Sequence, residues 1–385
     1  MTTGGRTNVL FLLNSLEIGG SESKIVRLAN SLAAERGLKV ALAYLNGPDT
    51  LKSDVSPEVS LVPLHRSGKF SLGAVSRLIK AIRQHGATVM VTVNMYPALY
   101  GGLARLRLGK RRLRWIASLN TTDVMNSQMD RRMRLYGPIL RRADSILFGA
   151  QTQARLWQEK YGIGAPPVPA DVLYNGVDLK RFEARAPANI QANVARPNAP
   201  PTRFVVGAVG RLHPEKAHSD LVKAVAMLRA RGLDVGALIV GEGSQRPRIE
   251  ALAAESEVSD YIVLAGQQRD VRPFLEQMDV FALTSVAVET FSNAALEAMA
   301  KGVPIVTSRI GGMEELIAFG GGLSYPPGDV PALVAALESL LANDEQRRAM
   351  ATAARSAVVD HFAWSRMVDG FERLLAPTSQ AVTGR

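Results

Sequence analysis

Short runs of β-branched and other apolar residues alternate along this chain with longer stretches whose apolar positions recur every three or four residues. That alternation predicts βαβ units and parallel sheets. In the first half, strands are predicted near 8–13, 38–44, 59–62, 88–93, 113–119, 144–148 and 170–173, with helices at 21–35, 72–85, 97–107, 128–142 and 151–160. Residues 185–202 have no period and are rich in Ala, Pro and Asn, as a linker would be. A second series follows, with strands near 203–209, 236–240, 261–264, 279–283 and 303–307, and helices near 217–231, 244–256, 270–277, 292–301 and 330–342. The stretch 364–385 opens with Trp364, Met367, Val368, Phe371, Leu374 and Leu375 on one side. This predicts a terminal helix that either packs on the second domain or returns to brace the first. The boundaries are therefore 1–184, a linker at 185–202, 203–363 and a helix from 364. Each domain is a doubly wound sheet, and ligands are expected outside the carboxyl ends of the strands, in a cleft between the two.

Length and composition agree with two domains. The chain has 385 residues, of which 47% are hydrophobic, enough for sizeable cores. It has no cysteine, which removes disulfides, thiolate nucleophiles and thiolate metal sites, and suits a reducing cytoplasm. The first apolar run, Val9 to Leu13, is too short for a signal-peptide core or a membrane span. Cytoplasmic residence, with peripheral contact at the inner face of the membrane, is the expectation.

Charge changes the picture. Net charge is +11, but residues 1–200 hold 28 Lys/Arg against 13 Asp/Glu and carry +15, while the remainder carries −4. The basic residues are densest from Arg105 to Arg142. A solvated helix face, an anionic membrane surface and nucleic acid each suit a stretch of this charge. The membrane surface is favoured, and nucleic acid is not expected because no binding module accompanies the charge.

The most specific chemistry lies in Thr284 to Thr307, where Glu289 and Glu297 stand eight positions apart. Glu289 falls in the loop after a predicted strand and Glu297 within the next helix. One carboxylate can then face a ligand while the other accepts hydrogen bonds from a diol. The amides of Phe291, Ser292 and Asn293 fall at the helix start, where unpaired N–H groups favour oxyanions. A second motif, Val209-Gly210-Arg211-Leu212-His213-Pro214-Glu215-Lys216, follows another strand. It offers a guanidinium fork and a compact ammonium, the pair a diphosphate needs. A third is Gly19-Gly20 between the first strand and helix, where a backbone can approach a phosphate or sugar closely. It lacks the Gly-x-Gly-x-x-Gly pattern of a dinucleotide enzyme. Gly241-Glu242-Gly243 reads mainly as architecture.

These motifs resemble the signature of retaining glycosyltransferase family 4, and the resemblance covers nearly the whole chain. It implies the GT-B architecture, with an acceptor-binding first domain and a nucleotide-sugar-binding second one. It also implies that Glu289 contacts the donor sugar, Glu297 the ribose, and Arg211 and Lys216 the diphosphate, with Asp270 and Val271 in the loop that recognises the base. The glycine usual after the lysine is Ala217 here, and the histidine usual on the acceptor side is absent. Asn120 or Asp123, and more weakly Asn94, are candidates for its place.

No Asp-x-Asp occurs, so no metal is expected as cofactor. The expected partners are a nucleotide-sugar donor, with uridine the family's most frequent base, and a saccharide or lipid-linked acceptor. The resemblance implies a front-face route and, together with the charge, a setting in polysaccharide or glycolipid synthesis. Two rivals stand beside this reading: a nucleotide-sugar epimerase on the same fold, and a non-catalytic glycan-binding scaffold.

Overall fold

The computed structural model describes residues 7–109, 113–120, 127–184, 196–287 and 289–376. Most of the expected linker (185–195), Asp123, and Lys110 to Arg112 of the basic stretch lie outside the described residues. The chain divides into two compact units, one made of Met1–Tyr174 with Met367–Arg385 and the other of Asn175–Arg366.

The first unit contains strands β1 (Asn8–Leu13), β2 (Lys39–Tyr44), β3 (Ser60–Pro63), β4 (Val89–Val93), β5 (Arg114–Leu119), β6 (Ser145–Phe148) and β7 (Ala170–Val172). They form one sheet in the order β3-β2-β1-β4-β5-β6-β7. All neighbours are parallel, with Val9 opposite both Val40 and Val89. Val9 to Leu13 are buried throughout, because helices cover both faces of a parallel sheet. The flanking helices follow from local chemistry. Leu72–His85, for example, opens with the Ser71 hydroxyl accepting from the Ala74 amide and stops at Gly86, whose φ of 65° suits a residue without Cβ.

The second unit contains β8 (Phe204–Val209), β9 (Val235–Val240), β10 (Ile262–Leu264), β11 (Val280–Leu283), β12 (Ile305–Ser308) and β13 (Gly322–Tyr325). Their order is β10-β9-β8-β11-β12-β13, again all parallel. The sixth strand corrects the expectation of five. Gly320, Gly321 and Gly322 precede and open β13, and a four-residue strand that starts on glycine carries almost no periodic signal. The close packing requires those glycines: a Cβ on Gly321 would stand 2.2 Å from the Ala354 Cα, and one on Gly322 2.7 Å from the Ile305 side chain. The helices Met313–Ala318 and Asp344–His361 are likewise additional to the expected elements.

Both sheets are doubly wound, the fold class expected from the sequence, and each has its strand-order reversal at an inner pair: β1 and β4 in one unit, β8 and β11 in the other. Such reversals leave a crevice outside the carboxyl ends of the two strands, where ligands of open α/β sheets bind. The helix Trp364–Leu375 begins in the second unit and ends in the first. In the first, Phe371 is buried and stacks on Phe11 with ring centroids 5.6 Å apart. Arg36 also pairs with Asp369 and with Glu372.

Candidate functional site

In the second unit, the segments after β8 and β11 leave adjacent strands at the reversal. They bring together residues 73 positions apart: Lys216 Nζ lies 2.5 Å from Glu289 Oε2, and the Ser285 hydroxyl donates to the same oxygen at 3.3 Å. Both charged side chains are largely buried, at 19% and 11% exposure. The backbone is tied as well, since the Val286 amide donates to the Glu215 carbonyl and the Thr284 hydroxyl to the Lys216 carbonyl.

Each segment rests on a glycine. A Cβ on Gly241 would stand 1.8 Å from the Gly210 carbonyl oxygen, and one on Gly243 2.4 Å from that of Leu212. The Leu212 amide donates to the Glu242 carbonyl in the same turn. Under Glu289, a Cβ on Gly311 would be 1.8 Å from the Glu289 carbonyl oxygen. Gly241-Glu242-Gly243 is thus architecture with a purpose: it seats the loop that carries Arg211.

Arg211 is 69% exposed, and its nearest carboxylate, Glu215, is 4.0 Å away. Its guanidinium is therefore open to an anion. Ala217 adopts the left-handed conformation (φ 47°, ψ 39°), which explains why glycine is favoured there and why alanine carries strain. His218, which sequence reasoning passed over, is buried beside this loop. Neither ring nitrogen makes a hydrogen bond, although the Gly210 and Arg211 carbonyls lie nearby. Burial, and secondarily the charge of Lys216, lowers its pKa to about 4, so the imidazole is neutral.

The helix Asn293–Ala300 starts beside Glu289. Ser292 caps it, its hydroxyl accepting from the Ala295 amide at 3.3 Å. Phe291 is buried, its ring lies tilted against Phe362 with centroids 5.3 Å apart, and its carbonyl accepts from the Asn175 side chain at 2.7 Å. Asn293 opens the helix, and Glu297 lies a turn further, half-buried. Asp270 is committed locally. Its carboxylate accepts from the Arg272 amide, Nε and Nη2, and this bonding holds its pKa down at about 2. Val271 follows as the cap of the short helix Arg272–Leu275, so this loop can offer backbone atoms but not a free carboxylate.

In the first unit, Gly19 caps the helix Gly20–Ala34 in extended backbone, with Glu22 Oε2 2.8 Å from where a Cβ would stand. Conformation does not demand glycine at Gly19. Asn94 and Asn120 follow β4 and β5 and meet: Asn94 Oδ1 accepts from the Asn120 amide at 3.0 Å, and the Asn94 amide donates to the Ser118 carbonyl at 2.7 Å. Asn94 holds φ 69° and ψ 173°, a region otherwise left to glycine. Lys24, missed in the sequence, donates to Asn120 Oδ1 at 3.3 Å. Burial lowers its pKa to about 8, partly offset by Glu22. Its one legible signal was its position a turn beyond Gly19-Gly20.

Comparison with known proteins agrees with both halves. Residues 189–357 match the family described as glycosyl transferases group 1, and residues 18–181 match glycosyltransferase family 4. A GDP-mannose-dependent α-(1-6)-phosphatidylinositol monomannoside mannosyltransferase from Mycolicibacterium smegmatis is 30% identical over 299 residues, 75% of this chain and 76% of that protein. The lipopolysaccharide core biosynthesis glycosyltransferase LpsE of Rhizobium meliloti is 32% identical over 183 residues, or 47% of this chain; the matched part spans about half of that protein, 52%. Among solved structures, sucrose-phosphate synthase from Thermosynechococcus elongatus matches with a TM-score of 0.78 at 22% identity, covering 96% of this chain and 98% of that one. Anabaena HepE in complex with UDP and glucose matches with a TM-score of 0.79 at 19% identity, covering 96% and 99%.

Proposed function

The chain belongs to the group 1, family 4 glycosyltransferases, and on that premise we propose that it moves a sugar from a nucleotide diphosphate donor to a saccharide or lipid-linked acceptor, with retention of configuration and without a metal ion. The observation that carries this reading is the buried Lys216–Glu289 pair beside the exposed guanidinium of Arg211, at the strand-order reversal of the second unit. Two cations there can offset a leaving diphosphate, and the adjacent carboxylate can hold a sugar hydroxyl.

In this reading the acceptor oxygen bonds to the anomeric carbon as that carbon's bond to the phosphate oxygen breaks. The acceptor proton passes to the departing oxygen on the same face. Arg211, Lys216 and the amides of Phe291, Ser292 and Asn293 stabilise the charge, so acceleration comes from positioning and electrostatics. Glu297 receives the ribose hydroxyls, and the backbone of the Asp270–Val271 loop faces the base. Gly210 keeps the diphosphate loop close, and Gly19 and Gly20 leave room for the donor. On the acceptor side, Asn94 and Asn120, steadied by Lys24, stand where a histidine is usual. Metal independence is supported by the lack of any Asp-x-Asp and by the cations that would do a metal's work.

Uridine is the donor base in the first reading, in line with the UDP complexes of HepE. Guanosine is a second reading, favoured by the GDP-mannose-dependent relative, whose match covers three quarters of this chain. One experiment addresses these points: thermal shift and transfer assays with UDP- and GDP-sugars, on the wild type and on Lys216→Ala. The variant should keep its far-UV circular dichroism and lose roughly 10²–10³-fold in transfer rate, and excess chelator should leave the wild-type rate unchanged. Near-normal transfer by Lys216→Ala would refute the diphosphate role.

A further inference from the structure

A cavity of about 430 Å³ opens at the amino-terminal edge of the first unit's sheet. Its walls come from residues at the starts of β5 to β7 and from the end of the helix Met95–Leu108. Asn94 and Asn120 lie at the opposite, carboxyl edge of this sheet, after β4 and β5. Strands of this length separate the two edges by roughly 15–20 Å, so the cavity is not part of the acceptor side. Its volume falls within the usual range for small-molecule sites.

The lining mixes apolar and basic residues. Leu106, 65% exposed, and Val168 supply carbon surface above the fully buried Trp115. Arg105, Arg141 and Arg142 face a single carboxylate, Asp144, among the described lining residues. That carboxylate is already spent. It accepts from Arg105 Nη2 and from the Trp115 amide, each at 2.8 Å, while Arg105 Nη1 donates to the Arg142 carbonyl. Arg105 is itself buried and structural.

Arg141 and Arg142 are different. Arg141 Nη2 donates to the Tyr161 carbonyl at 2.6 Å, and Arg142 Nη1 to the Pro138 carbonyl at 2.9 Å. Neither has a carboxylate partner among the described residues. A guanidinium has five N–H donors in a planar fork, and a single carbonyl occupies only a fraction of them. Two such forks, each held by a backbone carbonyl at the lining of one cavity, have donors to spare for an anion.

We propose that this cavity binds an organic phosphate, its oxygens on the Arg141 and Arg142 guanidinium groups and its apolar body against Leu106 and Val168. A membrane phospholipid and a soluble phosphate monoester share this chemistry. Binding requires neither donor nor acceptor and is independent of the transfer reaction.

The test uses the full chain with octyl phosphate below its micellar concentration, inorganic phosphate and octanol, read by titration calorimetry and thermal shift. Octyl phosphate should bind at least about tenfold more tightly than inorganic phosphate, and octanol should not bind. The double variant Arg141→Gln/Arg142→Gln should lose at least about tenfold in octyl phosphate affinity. Leu106→Glu, at an exposed position that puts a carboxylate beside the forks, should lose as much while keeping the wild-type melting temperature, which covers the case of a misfolded double variant. Wild-type affinity in both variants, equal binding of inorganic and octyl phosphate, or no binding at millimolar octyl phosphate would each overturn the proposal. Vesicles with and without phosphatidic acid separate the sources: binding lost in both variants identifies a lipid headgroup, and octyl phosphate binding without vesicle binding identifies a soluble ligand.

Discussion

At the scale of single residues, the site depends on groups whose chemistry could be read and on neighbours whose role could not. Lys216 and Glu289 were legible because each follows a strand in a recognisable run; that their atoms lie 2.5 Å apart was not. Gly311 is the strongest hidden dependency. With φ at 57° and a Cβ position 1.8 Å from a backbone oxygen that cannot swing aside, Gly311→Ala must displace the segment bearing Glu289. It should cost about 2–4 kcal/mol in stability and depress transfer with it. A wild-type melting temperature and rate would show that the segment yields freely. His218 makes a pH prediction. The unfolded chain protonates this ring near pH 6.5, whereas the fold holds it neutral to about pH 4. The stability that depends on its neutrality is complete above pH 6.5, is lost as pH falls through that window, and stops changing below pH 4. The loss is at most roughly 3 kcal/mol. His218→Gln should flatten the melting temperature between pH 7 and 4.5, and an unchanged slope would assign the acid sensitivity elsewhere.

Among elements, the helix Trp364–Leu375 shows how unequal contacts can be. Its apolar stripe was plain in the sequence, but the same stripe suited a place on either domain. In the structure, Met367, Val368, Phe371 and Leu375 are buried, and Phe371 stacks on the first strand of the chain. Phe371→Ala should therefore cost about 3–5 kcal/mol through lost burial and an unfilled cavity. Removing Asp369, whose pairing with Arg36 is half exposed, should cost under about 1 kcal/mol. Urea unfolding of the two variants measures the contrast, and equal losses would contradict it. The strand Gly322–Tyr325 teaches the opposite lesson. Its glycines, read locally, argue for a turn; packing against Ala354 and Ile305 makes them necessary in a strand.

Over the whole molecule, charge is the property with the longest reach. The first 200 residues carry +15 and the rest −4. No described helix is long and apolar enough to cross a membrane. Contact with an anionic bilayer would then be electrostatic, at roughly 1 kcal/mol per basic residue near the surface. The protein should sediment with anionic vesicles at about 50 mM salt and be released by about 500 mM, where the Debye length shrinks to a few ångströms. Equal recovery with neutral vesicles would remove the idea.

Local pattern was enough for the class of each domain, the alternation of strand and helix, and the runs after strand ends in which Lys216 and Glu289 stand. These follow from local periodicity and from which functional groups leave a strand end. Three-dimensional packing settles which of these groups pair, that Lys24 reaches Asn120, that Asp270 is spent on Arg272, and that glycines far along the chain hold Gly210 and Glu289 in position. Apart from the Asp270–Arg272 pair, these contacts join residues tens of positions apart. Their energy depends on distances of a few ångströms, which no local pattern of side chains encodes.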